Sequence, residues 1–352
     1  MTPAHVGLRG SSSQAFSDDA ASRRASMLAG LVVVAIAMGI PAHDAYSQDD
    51  SNANGGGFCS RVADDALTAC EFSARSDFWI AKGNCINVVD AAERKTCNDD
   101  AQSSLKDAQS TCDEQRTARQ RACGIVGQDR YDPEFDPAQF VDPDKIGHGV
   151  APNPYFPLVR GTEYTYRQKL PNGKPGQITT DTVSDKTKFI AGVHCRVVED
   201  RVSENGVVIE ATDDWYAQDL AGNVWYCGEI APVYEVFKGD HPQDPELVSI
   251  EGSFKAGRDS AKQGILALAS PQVGDGYYEE FALGVAEDVA HVISTTGSAS
   301  VPAAMCNKTC LVTRNTSSLD LDLETKYYAP GIGLILEADP DGTRNELIKI
   351  TH

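Results

Sequence analysis

The fold is decided by residues 59–123, which read CSRVADDALTACEFSARSDFWIAKGNCINVVDAAERKTCNDDAQSSLKDAQSTCDEQRTARQRAC. Its six cysteines are separated by 11, 15, 12, 15 and 11 residues, so the outer, middle and inner pairs of residue numbers each add up to 182. Two antiparallel helices that turn near residue 91 bring together residues whose numbers have a constant sum, which selects one of the 15 connectivities of six cysteines. The spacing predicts three disulfides, listed from the base to the turn: Cys59 with Cys123, Cys70 with Cys112, and Cys85 with Cys97.

The two arms of this stretch have helical character. Gaps of 11 and 15 residues are close to three and four helical turns, so the cysteines of each arm share one face. Asp90 and Glu93 have the spacing of a capping box at the centre of the symmetric pattern. Zinc or copper ligation by thiolates is the alternative, but the stretch from Cys59 to Cys123 contains no CxxC and no histidine, which favours disulfides.

The first 47 residues have the pattern of a signal peptide. Arg23 and Arg24 precede an apolar run from Met27 to Ile40, and small residues follow at the exit, Ala45-Tyr46-Ser47. The run is about 21 Å long as a helix, shorter than the roughly 30 Å hydrocarbon core. We therefore expect cleavage near Ser47, no membrane span in the mature chain, and a periplasmic or secreted bacterial protein.

The net charge of the chain indicates which classes of binding partner are not expected. The 352 residues include 31 Lys and Arg against 51 Asp and Glu, for a net charge of −20. Such a chain offers no basic surface for phosphates, so nucleic-acid binding is not expected. After export, its ten cysteines are expected to pair.

The remaining sequence predicts an α+β protein, a disulfide-stapled antiparallel helical hairpin followed by a mainly antiparallel β domain. After a signal peptide at 1–47, the expected segments are the hairpin at 48–123, an acidic, proline-rich linker at 124–157 and the β domain at 158–352. Alternating apolar residues with turns at Asn172-Gly173 and Asn205-Gly206 are typical of β-hairpins. A curved sheet, a barrel and a sandwich all fit this pattern.

Four cysteines lie in the β domain. We expect two disulfides there, with Cys195 paired to Cys310 and Cys227 paired to Cys306. A redox pair formed by Cys306 and Cys310 is the alternative, although no CxxC or adjacent basic group indicates a lowered thiol pKa.

Acidic residues supply the candidates for chemistry. Asp320, Asp322 and Glu324 alternate with leucines, which suggests either a divalent-cation site or, by preference, a water-facing strand with its leucines inward. A glycosidase-like carboxylate pair could be formed by folding, with Glu279 and Glu280 or Asp213 and Asp214 as candidates. The sequence has no GxSxG, HExxH, GxGxxG or P-loop motif, so no catalytic, metal-binding or cofactor-binding residue is assigned and no cofactor is expected.

Several segments of the β domain are similar to those of a known group of proteins. Asn153-Pro154-Tyr155-Phe156-Pro157-Leu158, Asp214-Trp215-Tyr216-Ala217-Gln218-Asp219 and Gly222-Asn223-Val224-Trp225-Tyr226 resemble a group of exported bacterial proteins of uncharacterised function, in which a cysteine-rich helical hairpin precedes the β domain. The resemblance implies a periplasmic or secreted β domain and supplies no catalytic residues.

Four aromatic residues flank the turn after Gln218: Trp215, Tyr216, Trp225 and Tyr226. They form either a stacking wall for a sugar or other planar ligand or, by preference, core and cross-strand pairs.

The leading hypothesis is an exported, non-catalytic protein that binds a protein partner or self-assembles as a structural component of the bacterial envelope or extracellular space. A small-molecule or divalent-cation carrier that uses the β domain is the alternative, and an uncharacterised hydrolase ranks third. A closed barrel with an apolar lumen favours the carrier, whereas an exposed apolar patch on the hairpin favours partner binding.

Overall fold

A computed structural model describes residues 57–352. The predicted signal peptide lies outside these residues. Two long helices come first, α1 (Phe58–Ile86) and α2 (Ala91–Val126). The side chain of Asp90 accepts hydrogen bonds from the backbone N–H groups of Ala92 and Glu93, at 2.8 and 2.9 Å. The predicted helix start is confirmed, since this cap satisfies two N–H groups that have no partner within the helix.

The three predicted hairpin disulfides are present, with Cα separations of 5.6 to 5.7 Å. Small residues between the rungs, including Ala63, Ala66, Ala74 and Ala101, are buried along the seam. Their size allows the two helix backbones to approach as closely as a disulfide requires. The hairpin is therefore cross-linked at its base, middle and tip.

The chain then forms a large antiparallel sheet. Short 3-10 helices at Pro137–Gln139 and Pro143–Lys145 precede it. Within residues 57–352 the strands are β1 (Glu163–Lys169), β2 (Pro175–Ile190), β3 (Val193–Glu204), β4 (Val207–Gln218), β5 (Val224–Ile230), β6 (Val233–Glu235), β7 (Glu246–Ser249), β8 (Phe254–Lys255), β9 (Gly264–Ala267), β10 (Gly276–Tyr278), β11 (Asp288–Val301), β12 (Ala304–Ser317), β13 (Leu323–Ala329), β14 (Gly333–Ala338) and β15 (Arg344–Thr351).

The main path of the sheet runs β10-β11-β12-β13-β14-β15-β1-β2-β3-β4-β5-β8. Strand β9 pairs with β5, β6 pairs with β4, and β7 pairs with β6. The two ends approach each other where the Lys262 N–H donates to the Phe281 carbonyl at 2.8 Å, but this is an isolated bridge. The sheet is curved and is not closed into a barrel, so the first of the three predicted β architectures is the one adopted.

Segment 124–157 packs against this sheet. The ring of Tyr131 lies 4.6 Å from that of Tyr278, between ring centroids. Arg196, which is fully buried, donates to Asp144 at 2.7 Å. These contacts hold the proline-rich segment to the sheet by both aromatic packing and a charge-assisted hydrogen bond.

The predicted pairing of the last four cysteines is wrong. Cys195 pairs with Cys227, and Cys306 pairs with Cys310. Strand β3, which holds Cys195, is separated from β12, which holds Cys310, by five strands of the sheet. Cys227 instead falls at a register shift on β5, one strand beyond the neighbour of β3. On β12, the five residues from Cys306 to Cys310 stand opposite only three on β11, from Gly297 to Ala299, and this bulge brings the two sulfur atoms together.

Candidate functional site

The hairpin is attached to the sheet at its base. Arg119 on α2 forms a buried ion pair with Glu287, and the Gln115 side-chain amide donates to the Leu319 carbonyl at 2.8 Å. By its length, α1 extends about 43 Å and α2 about 54 Å. The attachment therefore holds one end of a long, cross-linked pair of helices and leaves the turn end away from the sheet.

The outward face of α1 carries large apolar side chains. Phe72, Trp79 and Ile86 are 65%, 69% and 78% exposed, respectively. They are seven residues apart, so they form a stripe along one face. Trp79 follows Cys70 by about two and a half helical turns and thus lies on the side of α1 opposite the disulfides. We call these three residues the outer stripe.

Two further exposed apolar residues lie near the outer stripe: Ile80, which is next to Trp79 on α1, and Val89, in the turn after the helix. Arg75 lies beside it, with its guanidinium carbon 5.9 Å from the centroid of the Phe72 ring. Single exposed apolar residues are common on proteins, but a contiguous group of aromatic and aliphatic side chains is typical of an interaction surface. An exposed apolar patch, the feature expected to favour partner binding, is therefore present on the hairpin.

The four aromatic residues of the predicted ligand wall are divided between the two faces of the sheet. Trp215 is buried beneath the ammonium groups of Lys188 and Lys255, which lie 4.5 and 5.3 Å from its ring centroid. Tyr216 and Tyr226 stack on each other, 4.6 Å apart, in a different part of the core. Ligand binding by these rings stays a prediction, and each has a packing role in the folded chain.

Trp225 is half-buried under the proline-rich segment. Its indole N–H donates to Asp219 Oδ2 at 2.9 Å, and its ring lies 6.1 Å from the rings of Phe135 and Phe140. The indole therefore helps to hold segment 124–157 on the sheet.

The candidate carboxylate pairs have different surroundings. Asp213 lies at the surface and accepts from Arg201 at 3.0 Å, whereas Asp214 is buried. The Tyr226 hydroxyl lies within hydrogen-bond distance of both Asp214 and Glu229, at 2.8 Å from the latter. The single proton of this hydroxyl can be donated to only one of the two carboxyl groups at a time.

Glu279 and Glu280 are both buried. Burial raises the pKa of Glu279, which accepts from the Asn315 amide at 2.6 Å. Burial, followed by the charges of Glu279 and Asp214, raises the pKa of Glu280 well above its usual value. These groups are stabilised in the neutral form by the core that surrounds them.

Asp200, the most buried aspartate in this region, is not among the candidates predicted from the sequence. It is 1% exposed and stands opposite Asp181 on β2 and Thr212 on β4. Burial, then the nearby carboxylates of Asp181 and Asp214, raises its pKa well above the usual value. The sequence did contain a signal of this burial, because Asp200 lies two residues from both Val198 and Val202. Residues at such spacing face the same side of a strand.

The acidic segment differs from its prediction, because Asp320 and Asp322 precede β13 and only Leu323 and Glu324 of residues 320–324 belong to the strand. Leu323 is 40% exposed, whereas Glu324 is partly buried. The Glu324 carboxylate forms an ion pair with Lys326, with 3.4 Å between Oε2 and Nζ. The inward position of Lys326 explains this reversal, because its ammonium group needs carboxylate partners once it is buried. Burial raises the pKa of Glu324 to about 7, and Lys326 opposes the shift.

Within residues 57–352, no group of three or more His, Cys, Asp or Glu side chains is placed to hold a metal ion. In the same part of the chain, no helix combines the length and apolar character needed to cross a membrane.

Comparisons with known proteins give few matches. No family model and no curated protein matches the chain. Two solved structures are similar to part of it. One is a candidate exported protein with a YmcC-like fold from Bacteroides fragilis, with 15% identity and a TM-score of 0.33, covering 57% of this chain and 100% of its own. The other is a candidate lipoprotein from Parabacteroides distasonis, with 11% identity, a TM-score of 0.30 and the same coverage. Similarity at this level assigns no function to the chain.

Proposed function

We propose that this is an exported, non-catalytic protein of the bacterial periplasm or extracellular space, and that its hairpin binds a protein partner through the outer stripe. The observation that carries the proposal is the exposure of Phe72, Trp79 and Ile86 on a helix fixed by three disulfides. Ten cysteines joined in five disulfides support a compartment outside the cytoplasm. Membership of the exported bacterial group that the β domain resembles belongs to the same proposal.

The stripe has the chemistry of a binding surface. Tryptophan is among the residues that contribute most to protein interfaces, because its large ring loses much hydrated surface at little cost in side-chain entropy. The disulfides hold α1 in one shape before binding, so less conformational freedom is lost on association.

The interior of the sheet supports the carrier alternative less well. A cavity of about 20 Å³ lies between segment 156–157 and the strands, with Asp181 and Tyr166 in its lining. This space fits one or two water molecules, whereas ligand sites typically enclose about 300 Å³ or more.

The test is native mass spectrometry of the full chain purified from the cells that export it. Wild type is compared with Trp79→Glu and with the matched control Leu220→Glu, since Leu220 is an exposed apolar residue (65%) in the turn between β4 and β5. We expect wild type and the control to carry additional protein mass that Trp79→Glu loses. Equal assembly in all three proteins, or none in any of them, contradicts the proposal.

A further inference from the structure

A second row of residues runs beside the outer stripe. Its members are small, exposed and also seven residues apart: Ala69, Ser76 and Gly83. Each precedes a large residue of the stripe by three positions, and such neighbours lie side by side on a helix. The outward face of α1 thus consists of one row of large side chains and one parallel row of small ones.

We propose, on the basis of the proposed function, that the partner of this face is a second copy of the chain, packed with its α1 antiparallel to the first. In an antiparallel pair, residues at the same level have numbers with a constant sum. Three pairs of one large and one small residue have residue numbers that add up to 155: Phe72 with Gly83, Trp79 with Ser76, and Ile86 with Ala69. Each pair occurs twice in the dimer because the two copies are related by symmetry.

The alternation of size selects the antiparallel arrangement. A parallel symmetric pair places Trp79 opposite Trp79 and Ser76 opposite Ser76, so that oversized and undersized levels alternate. The antiparallel pair instead puts one large and one small residue at every level. Uniform levels allow the 8–10 Å axial separation at which side chains of one helix fit between those of another.

The face is available for this contact in the folded chain. α2 packs against the opposite side of α1, where the three disulfides join the arms. The antiparallel pair is centred between residues 77 and 78, beyond the part of the hairpin that contacts the sheet. With this pairing, the turn between α1 and α2 of the second copy lies at the level of residue 64 of the first copy, where Asp64 and Asp65 are exposed.

Area and charge predict how this dimer behaves. An aromatic side chain buries about 150–250 Å², so three large residues from each copy give an interface below the roughly 800 Å² per partner of standard complexes. Two copies of net charge −20 also repel each other. We therefore expect a reversible dimer that tightens when salt screens this repulsion, which is the opposite of the salt effect on binding to a cationic partner.

Sedimentation velocity of the purified full chain, from about 1 to 100 µM, tests this inference. Trp79→Ala is expected to weaken dimerisation by about tenfold or more, while Leu220→Ala leaves it unchanged. Ser76→Leu is the sharper variant. It makes the surface more apolar and keeps a good helix former, yet it fills the position that receives Trp79, so we expect weaker dimerisation.

The exchange variant Ser76→Trp with Trp79→Ser restores one large and one small residue to that level, and we expect it to recover most of the association. Helical circular dichroism verifies that each variant folds. Stronger dimerisation of Ser76→Leu overturns the inference. So does a monomeric wild type that nevertheless binds a different protein through Trp79, and in that case the proposed function stands. If no assembly depends on Trp79, both fail.

Discussion

Arg119 on α2 donates two hydrogen bonds to the Glu287 carboxylate, at 2.7 and 2.8 Å, and both side chains are 7% exposed. The backbone N–H of Gly284 donates to the same carboxylate at 2.7 Å. Two parallel bonds from a planar guanidinium fix orientation as well as distance. This ion pair therefore sets the direction in which the hairpin leaves the sheet.

Arg119→Met is expected to destabilise the protein by about 3–5 kcal/mol, because it leaves the Glu287 carboxylate buried without its partner. The matched control is Arg116→Met on the same helix, which removes the exposed ion pair with Asp64 and is expected to cost at most about 1 kcal/mol. Urea denaturation measures both. If the two variants lose the same free energy of unfolding, the buried ion pair is not what attaches the hairpin to the sheet.

Removal of the tip disulfide by Cys85→Ala with Cys97→Ala is expected to loosen only the distal hairpin. Its two cysteines are 12 residues apart, and the cross-link is worth roughly 3 kcal/mol for a loop of this size. Hydrogen exchange should accelerate around the turn, while the base, still joined by Cys59 and Cys123, keeps its protection. Acceleration throughout both helices contradicts independent cross-linking of the tip.

The buried carboxyl groups predict greater stability in mild acid. Burial raises the pKa of Asp339 to about 6 and that of Glu324 to about 7, and it raises that of Asp200 well above its usual value. The folded chain thus binds protons that the unfolded chain, with carboxyl pKa values near about 4, has already lost. The free energy of unfolding therefore falls as pH rises from about 4 to 7 and beyond.

Asp200→Asn tests the cause of this pH dependence. The neutral amide has nearly the same shape and cannot ionise, so we expect Tm at pH 8 to rise by a few degrees and to vary less with pH. The exposed control Asp244→Asn should follow wild type. A lower Tm for Asp200→Asn at pH 8 would show that the ionised carboxylate stabilises the fold.

Gly264 allows the two ends of the sheet to approach each other. A Cβ atom at this position would lie 1.8 Å from the Glu279 carbonyl oxygen. Gly264→Ala must move the backbone of β9 or β10 and is expected to cost about 2 kcal/mol or more. Gly124→Ala on α2 meets nothing within 4 Å and should stabilise the protein by about 0.5–1 kcal/mol. Thermal unfolding compares the two, and a neutral Gly264→Ala contradicts the close approach.

The hairpin could be predicted because its pairing is encoded locally. The constant sum of cysteine numbers fixed the register of α1 against α2, and Asp90 marked the helix start. The position of Trp79 opposite the cysteine face was also present in the sequence. The ion pair of Arg119 with Glu287 had no such signal, because it joins residues 168 positions apart whose proximity depends on how the sheet curves.

The β domain shows where spacing alone fails. The pairing of Cys195 with Cys227 depends on strand order and on a register shift in β5, neither of which is visible in the distances along the chain. Similarly, the alternation around Leu323 and Glu324 gives the period of a strand but not which side is buried. The buried charge of Lys326 decides that side once the strands have assembled.

The central claim, that the outward face of α1 is the binding surface, is tested most directly by a photocrosslinking scan in the exporting cells. A photoreactive amino acid is placed at each exposed position of α1 from 68 to 86 in the full chain. Crosslinked protein, whether to a second copy or to another chain, should peak at positions 72, 79 and 86 and fall to background at 77, on the side of the helix nearer α2. A uniform yield along α1, or a maximum at 77, contradicts the account.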